Sequence, residues 1–80
     1  MKIKGPKSIA TVERAYLRIT YGYDEPDTLR CHPEVAKWFC ALSFYNCEVK
    51  SDSAMPPNLI RLENNKYPED PLRNCEVAFE

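Results

Sequence analysis

Apolar and polar side chains alternate between Arg14 and Tyr21. Ala15, Leu17, Ile19 and Tyr21 fall on one side; Arg14, Tyr16, Arg18 and Thr20 fall on the other. Period two is the pattern of a half-buried strand, so a strand is predicted there. Upstream, Ile9, Val12 and Tyr16 also fit helical spacing. The β-branched Ile9, Thr11 and Val12 are stiff at χ1, however, which tilts residues 8–13 towards strand as well. Gly22 and the run Asp24-Glu25-Pro26-Asp27 then predict a loop.

The period changes after His32. Val35, Trp38, Phe39, Leu42 and Tyr45 recur at intervals of three and four, which predicts a helix over about 33–46 with an apolar stripe facing a core. His32 or a neighbour would cap it, Pro33 suits the first helical position, and Glu34 favours the positive end of the helix dipole. Cys40, Ala41 and Phe44 widen the stripe, and Asn46 is a reasonable stop.

Three short strands fit the remainder. Cys47-Glu48-Val49-Lys50 alternates, and the segment from Ser51 to Pro57 is a stiff loop. Asn58 to Glu63 holds Leu59, Ile60 and Leu62. Residues 64–74 are polar and broken by Pro68 and Pro71, so a loop or a single turn is expected. The chain then closes with Cys75, Val77 and Phe79 inward and Glu76, Ala78 and Glu80 outward. These elements imply an α+β fold: one small two-layer domain over residues 1–80, a mostly antiparallel sheet of about four strands with one packed helix.

Composition narrows the picture. Eighty residues allow one modest core, and 44% hydrophobic with 11% aromatic content excludes a disordered chain. Seven prolines against two glycines favour stiff loops and leave no Gly-rich turn for a phosphate. Met1 to Pro6 reads as a native start and not as a leader, and no long apolar run follows, so a cytoplasmic location is expected.

The net charge of −1 hides an asymmetry. Residues 1–18 carry Lys2, Lys4, Lys7, Arg14 and Arg18 against Glu13 alone, a balance of +4, so the remainder carries −5. A general nucleic-acid binder would carry a basic face across the whole domain, which this profile does not suggest.

Cys31, Cys40, Cys47 and Cys75 are separated by eight, six and twenty-seven residues. No pair has the short gap of a zinc site, and a cytoplasmic setting disfavours disulfides, so buried thiols and no metal are expected. The string Asn-Cys-Glu-Val occurs at 46–49 and again at 74–77. If the two strings were neighbouring strands, Cys47 and Cys75 would lie close together.

Catalytic chemistry finds little support. The single histidine, His32, adjoins Cys31. Neighbours in sequence diverge in both helices and strands, so a Cys–His dyad is not expected. The carboxylate pairs Asp24/Glu25 and Glu69/Asp70 sit beside prolines in loops, where exposure to water makes them poor general acids. The expectation is a protein without enzymatic activity or cofactor. Lys37 alone inside the helix argues against membrane-surface binding.

Two surfaces combine tyrosine with carboxylates: Tyr21, Tyr23, Asp24, Glu25 and Asp27 in the first loop, and Tyr67, Glu69 and Asp70 in the second. Tyrosine gives large contact area at low entropic cost, and the carboxylates would steer a basic protein partner. The plainer reading is an ordinary acidic loop with Tyr21 in the core, and a rigid connection packing Tyr67 and Leu72 on it. The leading expectation is a small protein-binding modulator, an inhibitor of a larger protein, for example one that itself binds nucleic acid. In compactness and stiff loops it resembles, as a class and through no shared motif, phage-encoded inhibitors such as anti-CRISPR proteins. Two alternatives stand beside it. A nucleic-acid module would use Lys2, Lys4, Lys7, Arg14, Tyr16 and Arg18, with the last three on the outer face of the first strand. A structural subunit would homodimerise through exposed Trp38 or Phe44.

Overall fold

The computed structural model describes residues 2–20, 25–39, 45 and 47–80. In order, these form β1 (Lys2–Gly5), α1 (Ile9–Thr20), β2 (Thr28–Cys31), α2 (Pro33–Ala36), β3 (Glu48–Ser51), β4 (Leu59–Glu63) and β5 (Cys75–Phe79). The strands make one mixed sheet in the order β1-β5-β4-β2-β3. Its centre is antiparallel, while both outermost pairings, β1 with β5 and β2 with β3, are parallel. The α+β class and two-layer arrangement agree with the sequence. Among the described residues the sheet has five strands where about four were expected, it is mixed and not mostly antiparallel, and there are two helices instead of one.

The largest correction is α1. The segment read as strand from residue 8 to Tyr21 is helical over Ile9–Thr20, and its buried positions are Thr11, Val12, Ala15, Tyr16 and Ile19. Those positions recur at one, three and four, which is a helical face. Leu17, assigned to the inward row of a strand, is 58% exposed, and Tyr16, assigned outward, is buried. The local alternation was real, but it was a coincidental subset of a 3.6-residue pattern that Thr11 and Val12 complete. Ser8 directly precedes the helix, and its hydroxyl hydrogen-bonds Thr11 Oγ1 at 3.3 Å. At the other end, Thr20 Oγ1 donates to the Tyr16 carbonyl at 3.0 Å.

The turn between β1 and α1 is tight. Thr11 Oγ1 donates to the Pro6 carbonyl at 2.6 Å, and a Cβ placed on Gly5 would lie 2.7 Å from Thr11 Cγ2. Only a residue without a side chain allows the helix to fold back that closely on the strand. The Lys2–Gly5 strand itself was missed because so short a segment shows no period.

The helix expected over 33–46 is also corrected. α2 ends at Ala36 with Lys37 as its C-cap, and Tyr45 lies at φ 52°, a left-handed conformation that no continuous α-helix contains. Residues 40–44 and 46 lie outside the described residues, and with them Leu42 and Phe44. The predicted start holds: His32 caps the helix, with Nδ1 accepting from the Glu34 amide at 3.1 Å, and Pro33 opens it. β2, missed in the sequence, is a four-residue strand squeezed between Pro26 and Pro33, with Leu29 and Cys31 inward.

The core lies between the helices and one face of the sheet. Val12, Ala15, Tyr16 and Ile19 of α1 and Val35, Ala36 and Phe39 at α2 meet Leu29, Cys31, Ile60, Leu62, Cys75, Val77 and Phe79 of the strands. Trp38 is partly buried against this core, 5.9 Å from the Phe79 ring. The opposite sheet face carries a charged row that crosses all five strands: Lys2, Glu76, Arg61, Arg30 and Lys50 are successive cross-strand partners.

Candidate functional site

The starts of β1, β2, β3 and β5 and the end of β4 share one end of the sheet. The described residues of the first surface, Glu25 and Asp27, lead into β2 at this end, and the second surface joins β4 to β5 there. Hydrogen bonds tie them together. Asp27 Oδ2 accepts from the Asn65 amide at 2.9 Å, and Asp27 Oδ1 accepts from Asn65 Nδ2 and from Thr28 Oγ1, both at 2.8 Å. The Asn65 side chain also donates to Thr28 Oγ1 at 2.9 Å. The Asp27 backbone continues the ladder on both sides, its amide bonding the Glu63 carbonyl and its carbonyl the Glu48 amide. Asp27 is therefore a joint between β2, β3 and the second loop, and its carboxylate is occupied.

The 64–74 loop is held by asparagines. Asn64 is buried; its Oδ1 accepts from the Lys66 and Tyr67 amides at 3.0 and 3.3 Å, and its Nδ2 donates to the Glu25 carbonyl at 3.4 Å. Asn74 closes the other side, with Oδ1 accepting from the Asn64 amide and Nδ2 donating to the carbonyls of Tyr67 and Asp70, each at 2.8 Å. Asp70 accepts from the Leu72 amide at 2.9 Å and pairs with Arg73, whose guanidinium lies 4.2 Å from the Tyr67 ring centre. These bonds satisfy much of the loop backbone from within, while the Asn65 amide is bonded from outside by Asp27. The loop and its turns agree with the sequence reading, but its core packing does not: Tyr67 is 40% exposed and Leu72 47%.

The carboxylates thus divide. Asp27 and Asp70 are engaged within the chain, and the Glu25 carboxylate acts on the Tyr16 phenol. Glu69 is exposed and makes no hydrogen bond or ion pair among the described residues. Tyr21, Tyr23 and Asp24 lie outside the described residues. Sequence reasoning overlooked Asn64, Asn65 and Asn74. The available signal was asparagine at both borders of a Pro-broken loop, where its side chain can replace missing backbone partners.

Tyr45 closes the same end beside α1. Its ring stacks on Tyr16 at 4.2 Å and 4° between planes, and its hydroxyl donates to Glu13 Oε2 at 3.2 Å. Burial, then the neighbouring Glu25 carboxylate, pushes the Tyr16 phenol up to about 12. A phenol that stays neutral serves here as packing and as a donor.

The basic N-terminal set does not form the strand face expected of it, since Tyr16 belongs to the core. Thr11, Arg14 and Arg18 are spaced three and four apart and form one stripe of α1. Thr11 packs on Gly5, so this stripe borders β1, where Lys2 and Lys4 are exposed. Lys7 is apart from it, 5.9 Å over the Trp38 ring.

A cleft of about 570 Å³ lies between the charged sheet face and the 64–74 loop, lined among others by Lys2, Arg30, Arg61, Glu63 and Glu69. Its charges largely answer one another: Arg30 meets Glu63 at 3.1 Å, and Arg61 meets Glu76 at 3.8 Å. Glu69, on the loop side of the cleft, has no such partner among the described residues.

Cys31, Cys47 and Cys75 are buried, as expected of thiols in a core. Cys47 and Cys75 are not neighbours, because β4 and β2 separate β5 from β3. Cys40 lies outside the described residues. Burial raises Cys47 to about 11, helped by Asp27 and Glu25, and raises Cys75 to about 11. Among the described residues, no cluster of His, Cys, Asp or Glu forms a metal-binding group, and no helix is long and apolar enough to cross a membrane.

Compared with protein-family models, curated protein sequences and solved structures, the chain matches none.

Proposed function

We propose that this protein is a non-catalytic protein-binding modulator, acting as an inhibitor of a larger protein, and that it binds through the 64–74 loop. The observation that carries this reading is an exposed Tyr67 and Leu72 on a loop whose backbone is already hydrogen-bonded by Asn64, Asn74 and Asp70. A loop ordered before binding loses little conformational entropy when a partner arrives, so its contacts convert more fully into affinity. Glu69 adds an exposed negative charge, which favours a partner face with basic groups around an apolar centre.

The experiment is affinity capture from the source-cell lysate with wild type and a Glu69→Lys/Leu72→Ser variant. Thermal unfolding checks that both are folded. A stoichiometric protein held by wild type and lost by the variant supports the loop as the binding surface. Equal capture by both overturns it. Asp27→Ala is no substitute for this variant, because Asp27 joins three segments of the fold.

One observation favours a second reading, binding of single-stranded nucleic acid. The exposed Lys2 and Lys4 of β1, on the sheet face away from α1, and the exposed Arg14 and Arg18 of α1 lie on elements that pack together. Phosphate binding there would weaken steeply with salt and would fall on Arg14→Ala/Arg18→Ala substitution. Affinity independent of salt removes this reading.

A further inference from the structure

The two edges of the sheet present opposite chemistry to a second copy of the chain. In β1 the Gly5 carbonyl accepts from the Glu80 amide at 2.9 Å, so odd positions bond towards β5 and the backbone of Lys2 and Lys4 faces outward. Every antiparallel pairing of that edge with itself sets lysine against lysine, a device by which natural sheets keep an edge unpaired. In β3 the Glu48 amide bonds the Asp27 carbonyl and the Asp52 amide bonds the Cys31 carbonyl, both at 2.8 Å. Even positions therefore bond towards β2, and the backbone groups of Val49 and Ser51 face outward.

We infer that β3 is a homodimer interface, pairing antiparallel with β3 of a second copy about Val49. In that register Val49 exchanges both backbone hydrogen bonds with its counterpart, and Ser51 pairs with position 47. Glu48 of each copy then stands opposite Lys50 of the other. Glu48 and Lys50 already approach to 4.0 Å within one strand, so the dimer assembles four alternating charges on one face. The neighbouring registers fail, because they set Glu48 against Glu48 or Lys50 against Lys50. On the other face, Val49 is half-buried at the margin of the core, and its counterpart would cover it.

The pairing is isologous, as a two-fold dimer requires, and continues the sheet across the axis. Both helical layers fall on one side, and the two 64–74 loops point to opposite ends. The interface shares no residue with those loops, so it stands or falls independently of the proposed binding reading.

Charge exchange tests it. Sedimentation equilibrium is measured from micromolar to millimolar concentration for wild type, Glu48→Lys, Lys50→Glu and the double exchange. The expected result is a monomer–dimer equilibrium in wild type, weakened by about tenfold or more in each single variant and restored in the double exchange. Both substitutions are on an exposed edge, and circular dichroism confirms folding. A strict monomer at millimolar concentration overturns the inference. So does a dimer indifferent to both single exchanges, because its interface would lie elsewhere.

Discussion

Segments 25–28 and 64–74 have nearly the same chemistry: carboxylates, proline, and tyrosine in or beside them. Their roles differ. The first is internal in its bonding, with Asp27 accepting from Asn65 and Thr28, the Glu25 carbonyl accepting from Asn64, and Pro26 and Thr28 buried. The second draws most of its backbone partners, Asn65 apart, from its own Asn64, Asn74 and Asp70 and turns Tyr67, Glu69 and Leu72 outward. The difference lies in where the partners of the loop amides come from. When the loop supplies its own, through Asn64, Asn74 and Asp70, the remaining side chains are available to a partner. When a carboxylate supplies them, as Asp27 does for Asn65, it is withdrawn from recognition. Acidity in a loop therefore does not by itself mark a binding surface.

The sharpest break in this comparison comes from Asn64, which bonds both segments. Asn64→Ala leaves the Lys66 and Tyr67 amides without their side-chain acceptor and the Glu25 carbonyl without its donor. A loss of about 2 kcal/mol is expected, read from the urea unfolding midpoint. Asp27→Ala comes next. Its bonds to Asn65 are partly solvated, so the expected cost is about 1–2 kcal/mol by the same measurement.

Alkaline unfolding separates the electrostatics of the two segments. Asp27 and Glu25 help to raise the Cys47 thiol, whereas no carboxylate of the 64–74 loop contributes at Cys75. Each thiol has a folded pKa of about 11 against the usual 9.0. The unfolded chain therefore releases these protons first as pH rises. The stability they contribute is complete below pH 9 and is lost on the way to about 11. Denaturant titrations across this window are expected to show falling stability in wild type, with a shallower slope in Cys47→Ala. The smallest effect belongs to the outward residues: Glu69→Ala and Leu72→Ser are expected to change stability by less than about 0.5 kcal/mol. A larger loss in either would place these side chains in the fold and weaken the contrast.

Much of the second half was legible. β3, β4 and β5 alternate as written because each faces a core on one side only, and the 64–74 loop is marked by its prolines. The cap of α2 was readable from His32 and Pro33. The first half was not. α1 carries β-branched residues at 9, 11, 12, 19 and 20, and its exposed Leu17 imitates an inward strand position. Propensity and a short alternating run agreed on the wrong element, and packing against β5 and β1 overruled both.

By itself, the sequence determined the α+β class, the buried faces of the last three strands and the buried setting of Cys31, Cys47 and Cys75. Those properties depend on local periodicity and composition. Tertiary structure alone decided that α1 is a helix, that both outermost strands pair in parallel, and that Asp27 is a joint while Glu69 stays exposed. Each of these depends on a contact between residues far apart in the chain, such as the one between Asp27 and Asn65, and no local pattern encodes such a contact.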